Sequence, residues 1–292
     1  MNMALSTKHG LLALIGLILS CSTALAASDR LSLTGSSTVA PLLLEIGKRY
    51  ESLNPAVRVD VQTGGSSRGI QDARMGTADA GMVSRALKPA EKDLTPFLVA
   101  MDGIGMIVHQ SNPIKALSDT QIKAIYTGKI NNWQQVGGKD QPITVVTKAE
   151  GRSTLELFLE HFELKNSQIK PQVVIGDNQQ GVKTVAGNPG AIGYVSIGAA
   201  EYEHARAVPI KLLPMDGKPA SVAAVAKGQY PFARELNLVV KGKPSKQLQD
   251  FIAFAQSAKV NDLIDAQFLV SPRTVTAKAK AGASVGASQA KQ

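Results

Sequence analysis

Short bursts of alternating or continuous apolar residues are followed, again and again, by segments whose apolar positions recur at helical spacing. RLSLTG (30–35) precedes PLLLEIGKRYESLN, where Leu42, Leu43, Ile46, Tyr50 and Leu53 would share one helical face. VRVDVQTG precedes RGIQDARMG, and the short run ADAGMVS follows. GIGMIVH (103–109) has the unbroken apolar character of a buried strand, and LSDTQIKAIYTGKINNW predicts a helix capped by Ser118 or Asp119 that ends before Gly128. ITVVTK leads into STLELFLEHFEL, where Leu155, Phe158, Leu159 and Phe162 repeat at i, i+3, i+4 and i+7. QVVIGD, GAIGYVSI, VPIKLLPM and LNLVV supply further strands, and SKQLQDFIAFAQS a late helix. Strands alternating with helices predict an α/β fold with a parallel or mixed sheet.

Three of the predicted strands end in small, hydroxyl-rich turns that open a helix: TGSSTVAP (34–41), TGGSSRG (63–69) and KAEGRSTLELF (148–158). Pro41 suits a first helical turn. A helix start exposes unpaired N–H groups and the positive end of a dipole, so added Ser and Thr hydroxyls can hold an anion with neutral donors. Glycines at 35, 64, 65, 69 and 151 permit close approach or unusual dihedrals. Any one such turn is also what an ordinary N-cap looks like. Three in one chain weigh more, because strands of one sheet bring their carboxyl ends to a common edge where ligands bind. Arg68, Arg85, Lys148 and Arg152 lie within these segments and could neutralise a compact oxyanion, or pair with carboxylates such as Glu150.

The ends of the 292-residue chain differ from the middle. Lys8 and His9 precede an apolar run, Leu11 to Leu19, of about nine residues, too short to cross a bilayer. With Ala24-Leu25-Ala26 behind it, residues 1–26 are expected to be a secretory signal, placing the protein in the periplasm or outside the cell. Cys21, the sole cysteine, could instead be a lipid-anchor site, although Ile18 and Leu19 fit that signal poorly. Cleavage after Ala26 leaves no cysteine for a disulfide. Residues 274–292 are Ala, Gly, Ser and Lys with little to bury, and are expected to form a disordered tail. The formal charge is +9, but the basic residues are scattered and aromatics make up only 4%, so nucleic acid is not an expected partner.

The G-x-S-x-G of Gly65, Ser67 and Gly69 raises serine hydrolysis as an alternative. Such a nucleophile needs a histidine and a carboxylate in reach, and none of His109, His161 or His204 has a telling local context. No His or Cys pair stands at metal-ligand spacing. No catalytic residue, metal or cofactor is expected.

The three turns, in this order, resemble those of the periplasmic phosphate-binding proteins that feed ABC phosphate importers. The resemblance runs through GSSTVAP, GGSSRGIQDARMGTADAGMVSRAL, LSDTQIKAIYTGKINNWQQVGG, AEGRSTLELFLEHF and GNPGAIGYVSIGAA. It implies a two-lobed periplasmic-binding-protein fold of type II, a Venus flytrap with two hinge crossings. Lobe one would be residues 28–108 plus 231–273 and lobe two 109–230, with crossings near IVHQSNP and QYPFARE. IYTGKINNWQQVGG, the most distinctive of these segments, offers no obvious ligand group and is expected to be a packing and turn signature with Trp133 half-buried.

By position, Ser37 and Thr38 match the family's first phosphate contacts, Ser66 the serine of the second loop, and Gly151, Arg152, Ser153 and Thr154 its third-loop motif. With their neighbours Ser36, Ser67, Arg68, Ser84 and Arg85 they form the expected phosphate-binding set, Ser66 rather than Ser67 being the contact of its turn. The implied function is capture of inorganic phosphate by a monomer and its delivery to inner-membrane permease subunits. A secreted or surface protein of the same fold acting in adhesion is the alternative. The chain departs from the family where an aspartate accepts the phosphate proton: Ser84 stands there, followed by Arg85. Lys148 replaces an arginine and Arg152 a serine. Because Ser84 can donate as well as accept, rejection of sulfate is expected to be weaker, or to depend on Glu150.

Overall fold

The computed structural model describes residues 29–272. The expected signal peptide with Cys21 and the expected tail lie outside the described residues. The elements run β1 (Asp29–Gly35), α1 (Ala40–Leu53), β2 (Val57–Thr63), α2 (Ser66–Met75), β3 (Ala80–Val83) and β4 (Leu94–His109), then α3 (Asp119–Tyr126), β5 (Thr144–Lys148) and α4 (Ser153–His161). They continue through β6 (Val173–Ile175), α5 (Asn178–Ala186), β7 (Ala191–Ser196), α6 (Ile197–His204), β8 (Ile210–Leu213) and α7 (Val222–Ala226), ending with β9 (Ala233–Lys241), α8 (Lys246–Ala255) and α9 (Asn261–Ala266).

The strands form a mixed sheet in the order β2-β1-β3-β9-β4-β7-β5-β6, with β8 added against β4. Pairs β1–β2, β1–β3, β5–β6 and β5–β7 are parallel, as helical crossovers require, and β9 and β4 run antiparallel to their neighbours. β4 extends well beyond the expected GIGMIVH. Leu94 to Gly103 pairs with β9, and Ile104 to Val108 pairs with β7. One strand therefore belongs to two packing units. Leu31, Leu33, Leu42, Ile46, Leu238 and Phe251 anchor one apolar cluster, and Ile104, Met106, Tyr126, Trp133, Phe158 and Tyr194 anchor another. This is the two-lobed α/β architecture.

Most helical faces follow the spacing in the sequence. Leu42, Leu43, Ile46 and Tyr50 are buried, but Leu53, at the last position of α1, is 61% exposed. α3 starts where expected, with Ser118 and Gln121 in a reciprocal capping box. Trp133 is not half-buried. It is 1% exposed, and its indole Nε1–H donates to Gly190 O at 2.9 Å, so the one polar atom of the ring is satisfied inside the core. Gly138 lies so close to Trp133 that a Cβ would come within 2.8 Å of the tryptophan Cβ, which explains the glycine in NNWQQVGG.

Candidate functional site

The three hydroxyl-rich turns meet. A small polar cavity between the lobes is lined from the first turn by Ser36, Ser37 and Thr38, and from the second by Gly65 and Ser66, with Ser84 after β3. Across the cleft, Lys148, Arg152, Ser153 and Thr154 complete it from the end of β5 and the start of α4. The approach of the two sides is close. Ser67 N–H donates to Gly151 O at 3.2 Å, and a Cβ on Gly65, whose φ is +97°, would lie 2.5 Å from that same oxygen. Only glycine fits there.

None of the three helices that open onto the cavity has a side-chain N-cap: Val39, Gly65 and Arg152 stand at the cap positions without such a bond. By contrast α3, α5, α6, α7 and α8 are capped by Ser118, Asp177, Ser196, Ser221 and Ser245. The first intrahelical donor of α4 is Leu155, to Arg152 O, which leaves the preceding N–H groups at the cavity free of helical partners.

The hydroxyls are polarised the same way. Ser36 Oγ accepts from the N–H groups of Thr38 (3.2 Å) and Val39 (3.4 Å). Thr38 Oγ1 accepts from Asn178 Nδ2 (3.1 Å) and Arg234 Nη2 (3.4 Å), Ser66 Oγ from Ser84 N–H (3.2 Å), and Thr154 Oγ1 from Arg234 Nη1 (2.9 Å). A hydroxyl whose lone pairs are taken by protein donors has its own hydrogen left to give. Ser153 Oγ and Arg152 Nε are buried without a protein partner. The cavity is thus a set of aimed donors with two basic side chains, Lys148 and Arg152, and no carboxylate in its lining.

Beneath it runs a buried network that no local signal in the chain marks. Asp102 on β4 and Arg234 on β9 face each other across the antiparallel ladder, in register. Asp102 Oδ2 accepts from Arg234 Nε and Nη2 at 3.1 and 2.8 Å, both side chains 1% exposed, and Oδ1 accepts from Gly198 N–H of α6. Arg234 then reaches Thr38 on one side of the cleft and Thr154 on the other. Asn178 also spans the lobes: Lys148 Nζ and Ser196 N–H donate to its Oδ1 at 2.8 and 3.3 Å while its amide donates to Thr38. Burial pushes the Lys148 ammonium down to about 7; Arg234 and Arg152 press in the same direction and Asp177 opposes them.

The remaining residues of the expected set lie outside the lining. Ser67 is exposed and donates to Glu156 Oε1 at 3.0 Å; Gly65, not Ser67, occupies the helix cap. Arg68 is exposed and paired with Asp72 at 3.1 Å. Arg85 is buried but turned to carboxylates, donating to Glu91 through both terminal nitrogens (2.7 and 2.9 Å) and to Glu156 Oε2 through Nε (2.9 Å). Lys88 Nζ joins Glu156 Oε2 at 2.6 Å, so Glu156 of α4 collects three donors from the opposite side of the cleft. Burial by itself would raise the Glu156 carboxyl; the Lys88 hydrogen bond and the charges of Arg85 and Lys88 outweigh it and hold it below the ordinary carboxylate range. Gly151 contributes its carbonyl to the interlobe bond rather than a lining surface. Glu150 is exposed and accepts from Asn166.

The histidines among the described residues are engaged elsewhere: His109 with Ser111, His161 with Asp119 and His204 with Ile210 O. Folding also brings Asp216 near the Asp119–His161 pair, their ligand atoms within 4.8 Å, a grouping the linear spacing does not reveal. A wider groove of about 450 Å³ shares Ser37 and Thr38 with the small cavity. It is lined by Pro41, Leu44, Val61 and Leu269 with Glu45 and Asp177 and no basic side chain, so it is the wrong place for an anion.

Comparison with known proteins agrees with this geometry. The chain is 28% identical over 242 residues to the phosphate-binding protein PstS of Bacillus subtilis, covering 82% of this chain and 79% of the relative. Among solved structures, a phosphate ABC transporter substrate-binding protein with bound phosphate from Clostridium perfringens superposes with a TM-score of 0.77 at 32% identity, over 83% of this chain and 99% of that one. An ABC-type phosphate transport receptor from Vibrio cholerae superposes with a TM-score of 0.70 at 30% identity, over 83% and 100%. The sequence profile of the PBP superfamily domain matches residues 22–259, and the chain belongs to that superfamily.

Proposed function

We propose that this protein captures inorganic phosphate between its lobes and delivers it to the permease of an ABC importer, without catalysing a reaction. The observation that carries the proposal is the common polarity of the cavity: four hydroxyls accept from the protein and so donate inward, beside a buried Arg152 Nε and Ser153 Oγ without protein partners. Four convergent oxygens of a tetrahedral anion suit such a donor shell, and Arg152 supplies a charge-assisted bond. The names of the relatives support phosphate as the cargo. The Ser66 side chain, not Ser67, makes the contact from the second turn. The bond from Ser67 to Glu156 and the engagement of His109, His161 and His204 speak against hydrolysis.

The lobe division expected from the sequence, 28–108 plus 231–273 against 109–230, is kept in this proposal; β4 changing partner from β9 to β7 after Gly103 and β9 beginning at Ala233 support it, and closure about these two strands would bring Gly65 and Gly151 together. Export through a cleaved signal peptide and a monomeric state complete the proposal. Thermal unfolding and calorimetry test it. Phosphate at about 100 times its dissociation constant should add about 2.7 kcal/mol of stability. Arg152→Ala should weaken binding by roughly 2–5 kcal/mol, thirtyfold or more. A wild-type protein whose melting is indifferent to millimolar phosphate would refute the assignment.

A further inference from the structure

A cavity lined by hydroxyls and two basic side chains has no carboxylate with which to test a ligand for a proton. Glu150 is exposed and taken by Asn166, Glu156 is held by Ser67, Arg85 and Lys88, and both oxygens of Asp102 are occupied. What the lining offers instead is Lys148, 4% exposed, whose Nζ has a neutral acceptor, Asn178 Oδ1, at 2.8 Å. Among the described residues no carboxylate lies within 4.0 Å of that nitrogen.

The groups around Lys148 come from every neighbouring element. Arg152 follows it in its own loop. Arg234 of β9 is compensated by Asp102 of β4. Asp177, ahead of α5, is an acid that acts on it, and its Oδ1 is spent capping that helix through Gln180 N–H. Tyr194 of β7 bonds Thr147 and the Lys148 N–H, and burial pushes its hydroxyl up to about 12, so it stays neutral. Thr38 presents only a hydroxyl. An ammonium held among cations and neutral dipoles gives up its proton readily, and a nearby dianion reverses that balance. The low proton affinity of Lys148 already noted is in keeping with this placement.

Resting on the assignment of this cleft as an oxyanion site, we propose that Lys148 is its selectivity residue: it admits tetrahedral dianions whether or not they carry a proton, sulfate as well as monohydrogen phosphate, and takes up a proton from solvent as the dianion arrives. No bond within the ligand changes; the neutral amine becomes an ammonium that faces the new charge. Above about pH 7 affinity for a dianion should therefore fall toward tenfold per pH unit, and below that it should level off.

Sulfate is the clean probe, because it keeps two charges across this whole range. Isothermal titration of the full chain with sulfate, from about pH 6 to about pH 9 in pairs of buffers with different ionisation enthalpies, reads both affinity and proton uptake. The expected result is uptake approaching one proton per sulfate in the alkaline half and little in the acid half. Lys148→Arg keeps its charge throughout and should bind sulfate with pH-independent affinity. Lys148→Met should lose at least about tenfold in affinity and all proton uptake. Flat wild-type affinity without proton uptake would overturn the proposal. So would tight phosphate binding with no sulfate binding, which would leave the phosphate assignment standing; failure of both anions would remove the site itself.

Discussion

Replacing Glu156 with glutamine should weaken closure of the cleft while leaving every cavity-lining side chain intact. Glu156 projects from α4 and accepts from Ser67 Oγ at 3.0 Å, Arg85 Nε at 2.9 Å and Lys88 Nζ at 2.6 Å, all from the opposite side. Its side chain is 20% exposed, that of Arg85 4% and that of Lys88 53%. The Lys88 contact is open to water and counts for at most about 1 kcal/mol. The Arg85 contact is shielded, and a charge-assisted bond in such a place is worth about 1.5–3 kcal/mol. Glutamine still offers one acceptor oxygen, and Arg85 retains its two bonds to Glu91, so the net loss should be about 1–3 kcal/mol. That corresponds to a roughly 5- to 150-fold rise in the phosphate dissociation constant. Calorimetry gives that constant, and small-angle scattering of the phosphate-saturated protein reports whether compaction is lost. A dissociation constant within about twofold of wild type, with unchanged compaction, would refute the claim that these contacts hold the lobes together. The pH dependence has a definite sign. Closure lowers the Glu156 proton affinity below its ordinary value of 4.5, so its contribution is complete above that value and disappears as pH falls through the lowered one. Glu156→Gln should abolish this acid-side weakening.

Two further substitutions probe the close approach and the hinge. Gly65→Ala places a Cβ 2.5 Å from Gly151 O at a φ of +97°, so it should abolish phosphate-induced compaction and tight binding, at a cost of about 1–3 kcal/mol in unliganded stability; undiminished affinity in calorimetry would contradict the observed approach. Asp102→Ala leaves Arg234 charged and buried with only two hydroxyls, which should cost about 3–5 kcal/mol and lower the melting temperature by roughly 6–20 °C. A fall of less than about 3 °C in scanning calorimetry would mean that Arg234 finds another partner.

Local signals carried far along this chain. Ser118 and Gln121 mark the start of α3 because a capping box involves only neighbours in sequence. The three turns were legible for the same reason: a strand end, a glycine and two hydroxyls lie within a few residues. Charged partners were not. Arg68 and Arg85 stand in the same turns as Ser66 and Ser84, but one pairs with Asp72 and the other with Glu91 and Glu156. Arg234, Asp102 and Asn178 sit in ordinary strand or helix context, and nothing beside them in the sequence hints at the cleft. The full length of β4 is not legible in the sequence because its first half carries a bulge between Leu98 and Ala100 that breaks the alternation.

The sequence by itself determined that hydroxyl-rich helix starts exist and that strands deliver them to one edge, since both follow from backbone periodicity and turn chemistry over a few residues. Only the tertiary structure decided which way each hydroxyl donates, which arginine is spent on a carboxylate and which lysine is left without one. Those outcomes depend on partners separated by tens to hundreds of positions, brought within 3 Å or so by closure of the fold.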